Sequence, residues 1–205
     1  MNRRDVLKNM GLATGFFVAT PSIISLLQSC TSDVKTWTPD FFSAEEGIIL
    51  KKLTDIILPK TDGLPSATEL NVPQFIDKYC NEVLENVNKA QIKSAFSRII
   101  ALLKPTPETI LDTVPDNIYK ELLDEYMLVK DEIDIDRLAD LDSLELTNSE
   151  FLNNIKWMTI SAYLTTEKIG ETVLKYDPVP SQYYCGDLQE ITGGVSWSLG
   201  NNYVM

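Results

Sequence analysis

The sequence contains no histidine. That absence removes Ser-His-Asp and Cys-His nucleophilic sites, imidazole-ligated zinc and His-ligated haem from this chain. Basic residues are scarce as well: 18 Lys plus Arg face 30 Asp plus Glu, for a formal net charge of -12 and a sequence pI near 4.4. Phosphate backbones require a concentrated Lys/Arg surface, so no nucleic-acid partner is expected. Cysteine occurs three times, as Cys30, Cys80 and Cys185, with neither a C-x-x-C-H haem attachment nor zinc or iron–sulfur spacing. No G-x-G-x-x-G follows a strand pattern, and Gly193-Gly194 is an isolated pair, so the chain is expected to hold no flavin, nicotinamide or other cofactor. Internal repeats and low-complexity segments are lacking too. What is present is 44% apolar residues in 205, enough to fill the core of one globular unit.

The first thirty residues differ in kind from the rest. A basic start with Arg3, Arg4 and Lys8 against Asp5 leads into a moderately apolar stretch from Gly11 to Leu27, interrupted by Gly15 and Pro21. At about 17 residues it sits at the bottom of the spanning range. A cleaved export signal is therefore preferred over an uncleaved anchor. Asn2-Arg3-Arg4-Asp5-Val6-Leu7-Lys8 resembles the twin-arginine motif, with Arg3, Arg4, Leu7 and Lys8 in place, Val6 where Phe is commoner and Asn2 where Ser or Thr is. Leu27-Gln28-Ser29-Cys30 resembles a lipoprotein cleavage box in which the Cys30 thiol is acylated, although Gln28 replaces the usual small residue. The rival is an ordinary signal cut nearby that leaves Cys30 a free thiol, a liability in an oxidising compartment. The expected organisation is thus a signal region over 1–30 and a domain over 31–205, exported, periplasmic and membrane-anchored through lipid. Without residues 1–29 the body keeps 15 basic against 29 acidic residues, so lipid rather than charge would hold it to an anionic membrane.

Beyond Trp37 the periodicity is helical, with few alternating runs. Ser43-Ala44-Glu45-Glu46 is a capping box that predicts a helix with Ile49, Leu53, Ile56 and Ile57 on one face, stopped by Pro59 and followed by a turn-rich 60–67. Pro73 suits a first helical turn, after which Ile76, Tyr79, Cys80, Val83 and Val87 predict a second apolar face. Ile92, Phe96, Ile99 and Leu103 predict a third, ended by Pro105. Pro115 opens a fourth helix to about Lys130 with Ile118, Leu122, Tyr126 and Val129 inward. Thr147-Asn148-Ser149-Glu150 is a second capping box, and the helix after it carries two stripes, Phe151-Ile155-Met158-Ala162 and Trp157-Ile160-Leu164. That helix is the candidate centre of the core. The fold expected is all-α, a compact bundle of about five to six helices with an irregular, aromatic, Pro- and Gly-rich tail from Tyr176. Such a tail cannot fold alone, so it must lie on the helices or on another protein.

One acidic constellation has nearly the spacing of a calcium loop: Asp134, Asp136, Asp140, Asp142 and Glu145. Leu138 and Ala139 occupy positions that need a ligand and a glycine, so residues 131–146 read as a solvated acidic linker or short exposed helix. Cys80 on an apolar face reads as a buried small hydrophobe. Once exported, however, Cys80 and Cys185 are expected to pair if their Cα atoms approach to about 6 Å, stapling the tail to the second helix.

The segments Phe42-Ser43-Ala44-Glu45-Glu46, Leu53-Thr54-Asp55-Ile56-Ile57-Leu58-Pro59-Lys60-Thr61-Asp62 and Val72-Pro73-Gln74-Phe75-Ile76-Asp77 together resemble the gluconate 2-dehydrogenase subunit 3 family. Thr165-Thr166-Glu167-Lys168-Ile169-Gly170, Tyr176-Asp177-Pro178-Val179-Pro180, Cys185 and Val195-Ser196-Trp197 resemble its C-terminal signature. Ser66 and Ser181 stand where the family often has Gly, and from about Lys89 to Ser149 the likeness is only one of helices. The resemblance implies a small, cofactor-free, non-catalytic subunit of a periplasmic sugar or polyol dehydrogenase. Its partner would be a FAD-bearing large subunit of the glucose-methanol-choline oxidoreductase (GMC) type, joined in some complexes by a multihaem cytochrome c with haem c. No catalytic residue is carried over. With the twin-arginine translocase as the export route, the chain would escort and tether the flavoprotein; the alternative is a free-standing exported helical binding lipoprotein.

Overall fold

The computed structural model describes residues 37–127, 136, 139–140, 143–177 and 185–198. Among these, seven α-helices and one 3₁₀ turn form the chain, with no strand beyond two isolated bridges. The helices are α1 (Ala44–Ile57), α2 (Val72–Glu82), α3 (Asn86–Leu103), α4 (Asp116–Met127), α5 (Asn148–Leu164), α6 (Glu167–Thr172) and α7 (Leu188–Thr192). The all-α reading holds.

Both capping boxes act as read. The Ser43 hydroxyl accepts from the Glu46 N–H at 3.2 Å while the Glu46 carboxylate accepts from the Ser43 N–H at 2.7 Å. At α5 the Thr147 hydroxyl and the Glu150 carboxylate make the same reciprocal pair, at 3.2 and 3.0 Å. Helix α1 stops at Ile57, two residues before Pro59, with the Leu58 N–H closing on the Thr54 carbonyl.

Helix α5 is the hub. It packs against α1, α2, α3, α4 and α6, and α1 in turn touches α2, α3, α4 and the 3₁₀ turn Leu111–Thr113. Four aromatic rings cross this core edge to face: Phe41 to Phe42 at 4.9 Å, Phe42 to Phe96 at 5.1 Å, and Phe96 to Phe151 at 4.8 Å. The third predicted face is buried in full, as Ile92, Phe96, Ile99 and Leu103.

Several registers differ from expectation. Helix α2 ends at Glu82, so Val83 and Val87 do not extend its inner face and stand about 60% exposed, at 61% and 60%. In α4 the inward residues are Tyr119, Leu122 and Leu123, while Ile118 turns outward; the buried Tyr119 hydroxyl donates to the Leu111 carbonyl at 3.1 Å. In α5 the second covered side is Leu152, Thr159 and Tyr163, leaving Trp157 at 52% exposure. Tyr163 and Thr159 can be buried because each hydroxyl has an acceptor, Pro65 and Ile155 carbonyls respectively.

The tail is also more regular than expected. Asp187 caps α7 through its carboxylate, and Gly193 ends it at φ 72 in the left-handed region that a side chain rarely adopts. Lys175 and Trp197 form a parallel bridge, with Lys175 N–H to Ser196 O at 2.9 Å and Ser198 N–H to Lys175 O at 3.0 Å. Expectations on Arg3, Arg4, Leu7, Lys8, Cys30, Val129, residues 178–184 and most of the acidic segment lie outside the described residues.

Candidate functional site

Two constructions bring the family-like segments together. The first fastens the residues ahead of α1. Asp77 sits on the inner face of α2, 1% exposed, with its carboxylate turned to the chain entering the domain. One carboxylate oxygen accepts from Asp40 N–H at 2.7 Å; the other accepts from Phe41 and Phe42 N–H, both at 3.0 Å. Three backbone donors that precede a helix and have no partner of their own are thereby satisfied by one buried charge. From the other side the Lys93 ammonium of α3 donates to the Phe41 carbonyl at 2.8 Å, pairs with Glu46 and lies 4.6 Å from the Phe41 ring centroid. Sequence reading places Asp77 in the family-like Val72–Asp77 segment without a role and does not single out Lys93. A signal existed in α2, since Asp77 follows Pro73 and Ile76 and precedes Cys80 on the buried stripe, where a carboxylate must find donors.

The second construction is the connector between α1 and α2. Ala67 N–H bonds Leu58 O at 3.0 Å and closes a neck, beyond which residues 59–66 make an excursion. At its tip Thr61 and Leu64 exchange both backbone bonds at 3.1 Å, a tight turn that needs φ 84 at Gly63. Beneath the tip, Ser66 and Glu69 form a third reciprocal box, at 3.0 and 3.3 Å, which runs past the end of the 60–67 stretch read from sequence as turn-rich. Ser66-Ala67-Thr68-Glu69 carries that signature. Asp55 of α1 accepts from Thr68 N–H at 2.8 Å, and Tyr163 of α5 donates to the Pro65 carbonyl at 2.7 Å across 98 residues. The Lys60 ammonium, 2.6 Å from Glu69, and the Ser66 N–H hold the Glu69 carboxyl below its ordinary range. One residue separates Tyr163 from the Thr165–Gly170 segment, in which Thr166 caps α6.

The cysteines are separate. Cys80 is fully buried and Cys185 exposed, both as free thiols, so the expected bridge is not formed in this structure. Cys80 belongs to the inner face of α2, whereas the tail is held by its Lys175 backbone bonds instead. Burial first, and the Asp77 carboxylate second, push the Cys80 thiol from 9.0 up to about 12. The thiolate fraction is then lower by about 1000-fold. In a Cys30→Ser background, a thiol reagent at pH 8 is expected to consume Cys185 at least a hundred times faster than Cys80. Equal rates, or no reaction before reduction, would contradict the two-thiol arrangement. Burial likewise raises the Tyr119 hydroxyl from 10.0 to about 12. Both groups are acids with raised folded values. Their contribution is complete below about pH 9 and is lost as pH rises toward 12, so the melting temperature should fall across that window, less steeply in Cys80→Ala.

Other sequence candidates are not assembled into sites. Of the calcium-like constellation, Asp134 and Asp142 lie outside the described residues, and Glu145 pairs with Arg98 at 3.0 Å. Among the described residues no cluster of three His, Cys, Asp or Glu is placed to hold a metal, and no helix is long and apolar enough to cross a membrane. Gly193 and Gly194 serve the end of α7 and do not form a phosphate cradle between strand and helix. An open groove of about 440 Å³ runs along the first half of α3, lined by Asn86, Val87, Ala90, Gln91, Leu144 and Glu145.

Comparison with protein families gives a match to gluconate 2-dehydrogenase subunit 3 over residues 44–180. Curated proteins and solved structures give no match. The matched stretch contains α1 through α6, Asp77 and the neck with its turn, two thirds of the sequence, while the Asp40–Phe42 donors that Asp77 holds precede it; the chain belongs to the gluconate 2-dehydrogenase subunit 3 family.

Proposed function

We propose that this chain is the non-catalytic small subunit of a periplasmic, membrane-associated, flavin-dependent dehydrogenase of sugars or polyols. It escorts a GMC-type flavoprotein through twin-arginine export and tethers it through acylated Cys30. The family match over residues 44–180 carries the reading. The leader adds to it: Arg3, Arg4, Leu7 and Lys8 form an address used for cargo that folds before export, commonly because a cofactor is inserted in the cytoplasm. This sequence has no dinucleotide fingerprint or haem attachment motif of its own, so the cofactor belongs to a companion: FAD in the large subunit, and haem c where a cytochrome completes the complex.

Deleting the chain, or changing Arg3 and Arg4 to Lys, is expected to leave the flavoprotein in the cytoplasm. Normal periplasmic arrival in both cases would defeat the escort role. Cys30→Ser is expected to free the complex from membranes without blocking export. The rival reading, a binding lipoprotein acting alone, has the α3 groove as its candidate ligand site. It requires the native chain to purify colourless and solitary, whereas an escort brings flavin absorbance with it.

A further inference from the structure

The excursion between α1 and α2 is longer and better fastened than a connector requires. The Ala67 to Leu58 bond alone brings the ends of the two helices together, yet residues 59–66 extend beyond it. Below the tip, Ser66, Glu69, Lys60 and the Pro65 carbonyl are all engaged within the chain. At the tip the pattern reverses. The side chains of Thr61 and Asp62 make no hydrogen bond among the described residues, and Leu64 is 36% exposed. Glu69 neutralises Lys60, so the charge presented outward is the Asp62 carboxylate.

We propose that the turn Thr61–Leu64 is a docking element that enters a notch on the flavoprotein partner, Leu64 filling an apolar depression and Asp62 meeting a basic side chain at its rim. This inference rests on the escort reading above. The physical case is pre-organisation: a turn whose backbone is already fixed by α1, α2 and α5 loses little conformational freedom on binding, so its contacts appear as affinity. The charge argument sets the partner's sign. An acidic tip on an acidic body is repelled by a carboxylate-lined surface and drawn to one bearing Arg or Lys.

The test uses the tagged full chain recovered from its own cells, with flavin absorbance per mole of chain as the readout. Asp62→Lys and Leu64→Asp are each expected to reduce co-recovered flavin at least ten-fold, with Asp62→Asn intermediate and the unfolding midpoint unchanged. Trp157→Ala, at an exposed aromatic on α5, is expected to behave as wild type. Wild-type recovery by Asp62→Lys and Leu64→Asp would overturn the docking assignment while leaving the escort reading standing. Absence of flavin with the unaltered chain would remove both. Should Leu64→Asp lower the midpoint, Asp62→Lys decides, because that side chain is exposed.

Discussion

Asp77→Ala is expected to destabilise the domain by about 2–4 kcal/mol, because the buried Phe42 N–H loses its acceptor outright while the part-buried Asp40 and Phe41 N–H groups lose a charged one and can turn to water. Of these three residues Phe42 is only 4% exposed. Asp77→Asn separates charge from geometry. Its carbonyl oxygen can serve Phe41 and Phe42, but its amide then faces the Asp40 N–H, donor against donor, so the loss should be about half as large. Urea unfolding followed by circular dichroism measures both. A loss below about 1 kcal/mol for the alanine variant would mean that the clamp is incidental. Chymotryptic cleavage at Phe41 and Phe42 should rise sharply in Asp77→Ala under native conditions, since the clamp holds both residues against α2.

Phe96→Ala is expected to cost a similar amount, about 3–5 kcal/mol, for a different reason. The ring is fully buried between Phe42 and Phe151, so truncation opens a cavity and breaks two edge-to-face pairs in the middle of the aromatic series. Phe96→Leu keeps most of the volume and should lose about 1–2 kcal/mol. The two sites are coupled through Phe42, whose N–H is held by Asp77 and whose ring rests on Phe96. The Asp77→Ala, Phe96→Ala double variant should therefore be less destabilised than the sum of the singles, by about 0.5–3 kcal/mol in a double-mutant cycle. Strict additivity would show that the clamp and the core are independent.

The starts of α1 and α5 are legible because their determinants are local. Ser43 with Glu46, and Thr147 with Glu150, lie three residues apart and need nothing else to be recognised. The buried stripe of α3 could be read for the same reason. Facing differs from expectation at residues whose acceptor lies outside their own helix: the buried Tyr119 hydroxyl bonds the Leu111 carbonyl, and Tyr163 the Pro65 carbonyl. Periodicity ranks both as borderline, because it scores the ring and not the acceptor. Val83 and Val87 were joined to one stripe since their spacing allows it, while the break at Glu82 between α2 and α3 carries no proline or glycine. Among the candidate-site residues, Ser66 and Glu69 were readable by the same local rule that found the other boxes. Lys93 was not, because its significance depends on Phe41, Phe42 and Glu46 some fifty residues earlier.

The Tyr163 hydroxyl on the Pro65 carbonyl also constrains the order in which the chain can settle during synthesis. Helices α1, α2 and α3 leave the ribosome first, but the rings and hydroxyls that seal them, Phe151 and Tyr163, belong to α5, whose Tyr163 follows Pro65 by 98 residues. Until then the early helices have an open apolar side. These helices therefore close only after α5 has followed them, and a nascent chain halted before α5 would present Phe96, Ile99 and the inner face of α1 to chaperones rather than to its own interior.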